Sequence, residues 1–222
     1  KNTAKIKIID FTTPVTRELT TVGTIGTDLV YSPLLTIEDK DLIEFIFSKN
    51  NILISEYTFT NLFAWSQSRN VIYDNYKNGL IFIAKYENDR YFLPPIGYDN
   101  IVKITNELKE YGTKNEINHI KRIKESDAAI LINENFNLIE DRNNFDYLYD
   151  SNEMGLLNGK KYSSKRNLYL NFINDYDFEF VEYEKRFENR CLEISKKWIE
   201  SKNLNDKSLF NEYKAINFLI EN

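Results

Sequence analysis

The chain is poor in the residues that most often carry covalent constraint or catalysis. Of its 222 residues one is cysteine, Cys191, and one is histidine, His119. A lone cysteine excludes an intrachain disulfide and fits a reducing, cytoplasmic setting. A lone histidine leaves little material for His-based metal sites or catalytic triads. Cys191 and His119 are far apart in sequence and carry no local signature of a Cys–His pair, so a buried thiol and a surface imidazole are the plain expectation. There is no P-loop and no Gly-x-Gly-x-x-Gly; Gly23-Thr24-Ile25-Gly26 is too short for either. No apolar run approaches the roughly 20 residues that span a bilayer. The N-terminus lacks the basic and apolar regions of a signal peptide. No metal and no cofactor are expected from this composition.

Aromatic residues, by contrast, are plentiful. Fifteen Tyr and fifteen Phe within a 42% hydrophobic chain make a large core feasible. The length suits one large domain, or one domain and part of a second. Abundant Asn, Lys and Ile suggest an AT-rich bacterial genome. The first residue is Lys1, which suggests a processed chain or a piece of a longer one.

The pattern along the chain is α+β. Residues 1–33 are Thr-rich, with a strand-like piece at Ile6 to Ile9, and read as an N-terminal extension or an added edge strand. A helix is expected after Thr36, with Glu38 and Asp39 in its first turn and an apolar face of Leu42, Ile43, Phe45 and Ile46. Phe59, Leu62 and Phe63 follow helical spacing. Three strands are expected over 71–76, 80–86 and 90–93, with Asn78-Gly79 as a hairpin signal and Pro94-Pro95 as a stop. A helix over 100–111 capped by Gly112 follows, then a strand at 117–123 and a helix at 126–133 with Ser126 as N-cap. Strands at 136–139 and 145–149, a helix at 163–174, a strand at 178–183, and helices at 183–202 and 208–222 complete the reading. The last helix has no stop signal, which suggests truncation. An antiparallel sheet with helices on its faces is the economical solution.

Three stretches draw attention as sites; one of them, Tyr91-Phe92-Leu93-Pro94-Pro95-Ile96-Gly97, reads as a strand end with a rigid turn. Lys160, Lys161, Lys165 and Arg166 put four cations within seven residues of a chain whose net charge is -5. They lie at or just before an expected helix start, whose free N–H groups and dipole suit a phosphate. Arg166 can grip phosphate bidentately and lysine supplies point charge. The same cations would equally make a solvated helix start. The second stretch is residues 55–65, where Glu56, Asn61 and Trp65 stand among Tyr57, Phe59, Leu62 and Phe63. It reads either as a core helix with an aromatic stripe or as a pocket wall meeting an amine or hydroxyl.

Ser55 to Trp65, then Phe92-Leu93-Pro94-Pro95-Ile96-Gly97, then Asp146-Tyr147-Leu148-Tyr149, then Leu157-x-Gly159-Lys160-Lys161-Tyr162-x-x-Lys165-Arg166-Asn167 with Phe172, together resemble the phosphatidylglycerol lysyltransferase C-terminal domain family over roughly residues 34–222. The resemblance implies two tandem acyltransferase-like (GNAT-type, acyl-CoA N-acyltransferase-like) domains. The first would span 34–150, and 151–222 would hold a basic connecting helix and the opening helices of a truncated second domain. It implies transfer of an aminoacyl group from aminoacyl-tRNA to an amine or hydroxyl, on a lipid headgroup or a peptide. Lys160, Lys161, Lys165, Arg166 and Asn167 would then meet the phosphates of tRNA, of a phosphorylated small molecule or of a lipid headgroup. Glu56, Asn61 and Trp65 would line the substrate pocket. Two alternatives stay open. One is a non-catalytic binding or regulatory module that keeps the fold. The other is an acyl-CoA-dependent N-acyltransferase, for which no basic-x-x-Gly-x-Gly/Ala pyrophosphate turn is visible.

Overall fold

A computed structural model describes residues 2–11, 32–50, 52, 54–202 and 206–222. The Thr-rich stretch with Gly23 and Gly26 lies outside these residues. Eight strands and eight α-helices are described: β1 Asn2–Ala4, β2 Ile6–Asp10, α1 Lys40–Ser48, α2 Phe59–Arg69, β3 Ile72–Tyr76, β4 Gly79–Tyr86, β5 Asp89–Phe92 and α3 Ile101–Asn115, then β6 His119–Lys124, α4 Glu125–Ile132, β7 Asn137–Glu140, β8 Asp146–Leu148, α5 Ser151–Leu156, α6 Ser163–Asp175, α7 Glu188–Glu200 and α8 Lys207–Glu221. The expected α+β architecture is what the chain adopts: a six-stranded, mostly antiparallel sheet in the order β3-β4-β5-β6-β2-β7, flanked by helices.

β4 shows how the sheet is held. Its residues Leu80 to Ala84 are all buried, so it reads as a continuous apolar run. Leu80, Phe82 and Ala84 enter one core with α1 and α2 residues such as Ile43, Phe59 and Phe63. Ile81 and Ile83 enter a second core with Ile104 and Leu108 of α3 and Leu131 of α4. The period of two along one strand therefore builds both faces of the molecule.

The hairpins follow local chemistry. Tyr76 pairs with Gly79, so the β3–β4 turn is Lys77-Asn78, at φ 50° and 64°. Positive φ at both positions is the type I′ requirement. Gly79 opens β4, where a Cβ would lie 2.6 Å from the Ile96 carbonyl. The expected cap at Thr36 opens a 3-10 turn, Ile37–Asp39, that leads directly into α1; the Thr36 backbone N–H and hydroxyl meet the Asp39 carboxylate at 2.7 and 3.0 Å. Thr58 accepts from the Asn61 N–H and Asn100 from the Lys103 N–H.

Several expectations are corrected. Ile6–Asp10 is an internal strand between β6 and β7, not an edge; Ile6 and Ile9 are fully buried. Gly112 is not a cap but lies inside α3, whose C-cap is Glu116 in the left-handed region. Leu42 and Phe45 are exposed, and only Ile43 and Ile46 of the expected α1 face are buried. α4 begins at Glu125 with Lys124 as N-cap, so Ser126 is inside it. Residues 178–183 form no strand; Phe180 is 90% exposed, with no strand to pair with among the described residues. α5 is a helix without a counterpart in the sequence reading.

Candidate functional site

The wall of the site begins with an irregularity in β6. Against β2, Lys7 pairs with Ile123 and Ile9 with Ile120, so one residue of β2 faces two of β6. The extra residue is a bulge, and Arg122 sits in it at φ 70°. Ile120 and Ile123 both enter the α3 side of the core. Lys121 and Arg122 between them line one cavity on the opposite side.

Arg122 is the hub of a part-buried ion network. Its Nε lies 2.7 Å from Glu56 Oε1, and its guanidinium donates to Asp141 Oδ2 at 3.0 Å. Asn144 donates to the other Asp141 oxygen at 2.7 Å. The Arg122 side chain is 10% exposed, and those of Glu56 and Asp141 are 20% and 11% exposed. This places two carboxylates on one cation in a site shielded from water, where each interaction is stronger than at the surface.

Two adjoining cavities, of about 160 and 250 Å³, meet at this network. The first is lined by Glu56, Asn61 and Trp65, the three residues singled out in residues 55–65, together with Arg122. Arg69, Tyr91, Arg122 and Asn144 border both cavities. Asn61 also latches the loop before α2, its side-chain amide donating to the Ser55 carbonyl at 3.2 Å. The Arg69 guanidinium lies over the Trp65 ring, 4.5 Å from its centre. Lys121 pairs with Asp89 and lies 4.6 Å from the centre of the Tyr91 ring.

A separate cavity of about 170 Å³ opens where the sheet parts. β5 and β6 are parallel and share only the Phe92–Ile120 pair. Beyond it Pro94-Pro95 cannot donate to a ladder, and the chain stays with β4 through an Ile96–Leu80 bridge. Pro94, Pro95, Lys124 and Asp127 line the gap. Burial raises the Asp127 carboxyl above its ordinary value, against a weaker opposing pull from Lys124.

The cationic cluster is divided in its duties. Lys161 pairs with Glu153 at 2.6 Å, and the Tyr162 hydroxyl donates to the same oxygen at 3.0 Å. These contacts hold the Glu153 carboxyl below its usual range. Arg166 turns inward and donates to the Leu157 carbonyl, closing the end of α5. Lys160 and Lys165 are exposed and have no ion-pair partner among the described residues. Asn167 is exposed on α6. Lys161 and Lys165 line a fourth cavity, of about 570 Å³, with Tyr147, Tyr149, Asp150 and Glu153.

A short ribbon joins the two regions. β1 pairs with β8, and Asp146 at the start of β8 accepts from the Ser55 N–H and hydroxyl at 3.1 and 2.7 Å. Asn144 thus borders the Glu56 cavity while Tyr147 borders the cationic one. An extended chain spans roughly 10 Å over that interval.

Sequence reasoning missed Arg122, Asp141, Asn144 and Arg69, and it read Tyr91 as part of a strand end with a rigid turn, whereas Tyr91 borders both cavities. One signal was available for the first: Ile120-Lys121-Arg122-Ile123 places two cations between buried apolar positions and breaks the period of two. Among the described residues no group of three or more His, Cys, Asp or Glu side chains converges as metal ligands would. No described helix is long and apolar enough to cross a membrane.

Fold and site define a mixed α+β domain with a polar, arginine-centred cavity beside an open cationic ledge. The family model described as "Phosphatidylglycerol lysyltransferase, C-terminal" matches residues 51–219. The chain belongs to that family, as its motifs suggested. The crystal structure of a conserved protein of unknown function from Bacteroides thetaiotaomicron VPI-5482 is similar, with a TM-score of 0.75 and 24% identity. The match covers 85% of this chain and 66% of that one, so this chain spans just under two thirds of its neighbour's length. That likeness bears on fold alone. No curated protein matches.

Proposed function

We propose that the chain is an aminoacyl-transferase module of GNAT-like descent that receives the acceptor end of an aminoacyl-tRNA in the cytoplasm. The observation that carries this reading is the proximity of two unlike subsites. A carboxylate-bearing cavity lies about three residues of extended chain from the cavity lined by Lys161 and the exposed, unpaired Lys165. An aminoacyl-tRNA carries a cationic α-amino group at its tip and phosphates behind it, in that order. Glu56 would accept from the ammonium, with Asn61 and Trp65 flanking it. Lys160 and Lys165 would meet the phosphates, with Asn167 beside them.

The chemistry asked of the protein is modest. The nitrogen or oxygen of an acceptor attacks the ester carbonyl, a tetrahedral intermediate forms, and the ester C–O bond breaks. The tRNA hydroxyl leaves with the proton that the acceptor gives up. Positioning and stabilisation of charge would supply most of the acceleration. Family membership supports transfer chemistry; the acceptor, a lipid headgroup or a peptide amine, is our proposal.

Filter binding of labelled aminoacyl-tRNA across a salt series tests the reading. The chain should bind with an affinity that falls as salt rises. Lys160→Glu/Lys165→Glu should weaken binding and flatten the log–log salt slope by roughly 1.5, the share of two phosphate contacts. No binding, or equal binding by both proteins, would reject this reading in favour of a binding module without tRNA.

A further inference from the structure

We propose that Arg69 is an oxyanion-recognition residue at the junction of the two adjoining cavities, taking a carboxylate or phosphate group of the ligand. The inference concerns the cavity itself and does not depend on which donor enters it.

The two arginines of the site are in opposite states. Arg122 is shared by Glu56 and Asp141, so its charge is met from two sides. Arg69 borders the same two cavities, but its side chain has no ion pair and no hydrogen bond among the described residues. Its Nε is buried without a partner. A cation at the last turn of α2 suits the helix dipole, which explains why a positive residue stands there. It does not explain a guanidinium donor turned away from solvent with nothing to accept from it.

The indole beneath supplies the missing constraint. Trp65 is one turn earlier on α2, and the guanidinium rests 4.5 Å from the ring centre. Stacking fixes the guanidinium plane, and no described residue takes its terminal N–H donors, the pair that can match the two oxygens of a carboxylate or phosphate. The carboxylates that could neutralise Arg69 are already held by Arg122. The bulge that aims Arg122 at Glu56 and Asp141 thus keeps Arg69 available. Tyr91 and Asn144 border both cavities beside it.

Trp65 also reports on the site. The chain has two tryptophans, so Trp198→Phe leaves Trp65 as the sole emitter. In that background, inorganic phosphate and acetate are titrated separately at constant ionic strength, with chloride as the balancing salt. A saturable change in Trp65 emission is expected for at least one probe, with half-saturation at or below about 10 mM. Response to phosphate alone would identify a phosphate group as the ligand feature, response to acetate alone a carboxylate, and response to both a general oxyanion site. Arg69→Gln should abolish the change. Arg69→Lys, which keeps charge but not the planar fork, should weaken it about tenfold or more. Lys160→Glu/Lys165→Glu should leave it intact, which separates this site from the tRNA reading. Absence of a saturable change with both probes, or the same titration in a folded Arg69→Gln protein, would overturn the proposal. Circular dichroism establishes folding, and the Arg69→Lys arm decides the matter should the glutamine variant not fold.

Discussion

Arg122 combines two costs that a chain seldom carries in one residue. Its backbone lies at φ 70°, a region costly for a side chain of its size, and its charge is largely withdrawn from water. Both are offset by Glu56 and Asp141, which themselves would be stranded without it. Arg122→Ala should therefore destabilise the fold by about 2–4 kcal/mol in urea unfolding, because two part-buried carboxylates lose their cation. A cost under about 1 kcal/mol would mean that the network is a surface pair in effect. The neighbouring site residues differ in how far the sequence disclosed them. Glu56, Asn61 and Trp65 were legible because a polar residue in an aromatic run is conspicuous. Arg122, Asp141 and Asn144 were not, since a bulge and a cross-strand register bring them together and neither has a spacing signature.

At the scale of the element, local chemistry settled most boundaries and tertiary contact settled the exceptions. Capping residues and a two-residue hairpin turn with positive φ are local, so Thr36 fell where its residue type indicated, and the β3–β4 turn came one residue before the Asn78-Gly79 signal, at Lys77-Asn78. Gly112 shows the limit of that logic. Read locally, a glycine after an amphipathic run ends a helix. In the fold it is needed for another reason: a Cβ there would lie 2.2 Å from the Ile117 carbonyl, where α3 folds back over its exit to β6. Gly112→Ala should thus destabilise the protein by about 1–3 kcal/mol, the usual cost of overpacking, although alanine is the better helix former. A gain in stability would show that the α3–β6 contact relaxes freely. Residues 178–183 fail in the opposite sense. Their alternation suits a strand, but a strand needs a neighbouring edge, and Phe178, Phe180 and Tyr183 remain exposed. β2 was read as a strand-like piece of an extension or edge strand for a related reason: five residues ahead of a Thr-rich stretch gave no hint that β6 and β7 would close around them.

At the scale of the whole molecule, the end of the chain returns to the beginning. α8 packs on α2, with the Phe63 and Phe218 rings 4.6 Å apart, so the helix that carries Asn61, Trp65 and Arg69 is braced from behind by residues more than a hundred positions later. The β1–β8 ribbon ties the loop before α2 to the cationic ledge through Asp146. Two subsites fixed to one frame should read two parts of one ligand, and this separates their contributions. Lys160→Glu/Lys165→Glu should weaken binding of aminoacylated and deacylated tRNA equally, since both carry the same phosphates. Glu56→Gln should weaken only the aminoacylated form, by about tenfold to a hundredfold, the range for losing a hydrogen bond to a charged group. Arg122 keeps Asp141 as a partner in that variant, so the cavity wall is retained. Filter binding with each tRNA form measures both effects. Equal loss for the two forms in Glu56→Gln would mean that this carboxylate shapes the frame without touching the amino group. The selective loss would make Glu56 the residue by which the protein tells a charged tRNA from an empty one, a distinction that phosphate contacts cannot supply.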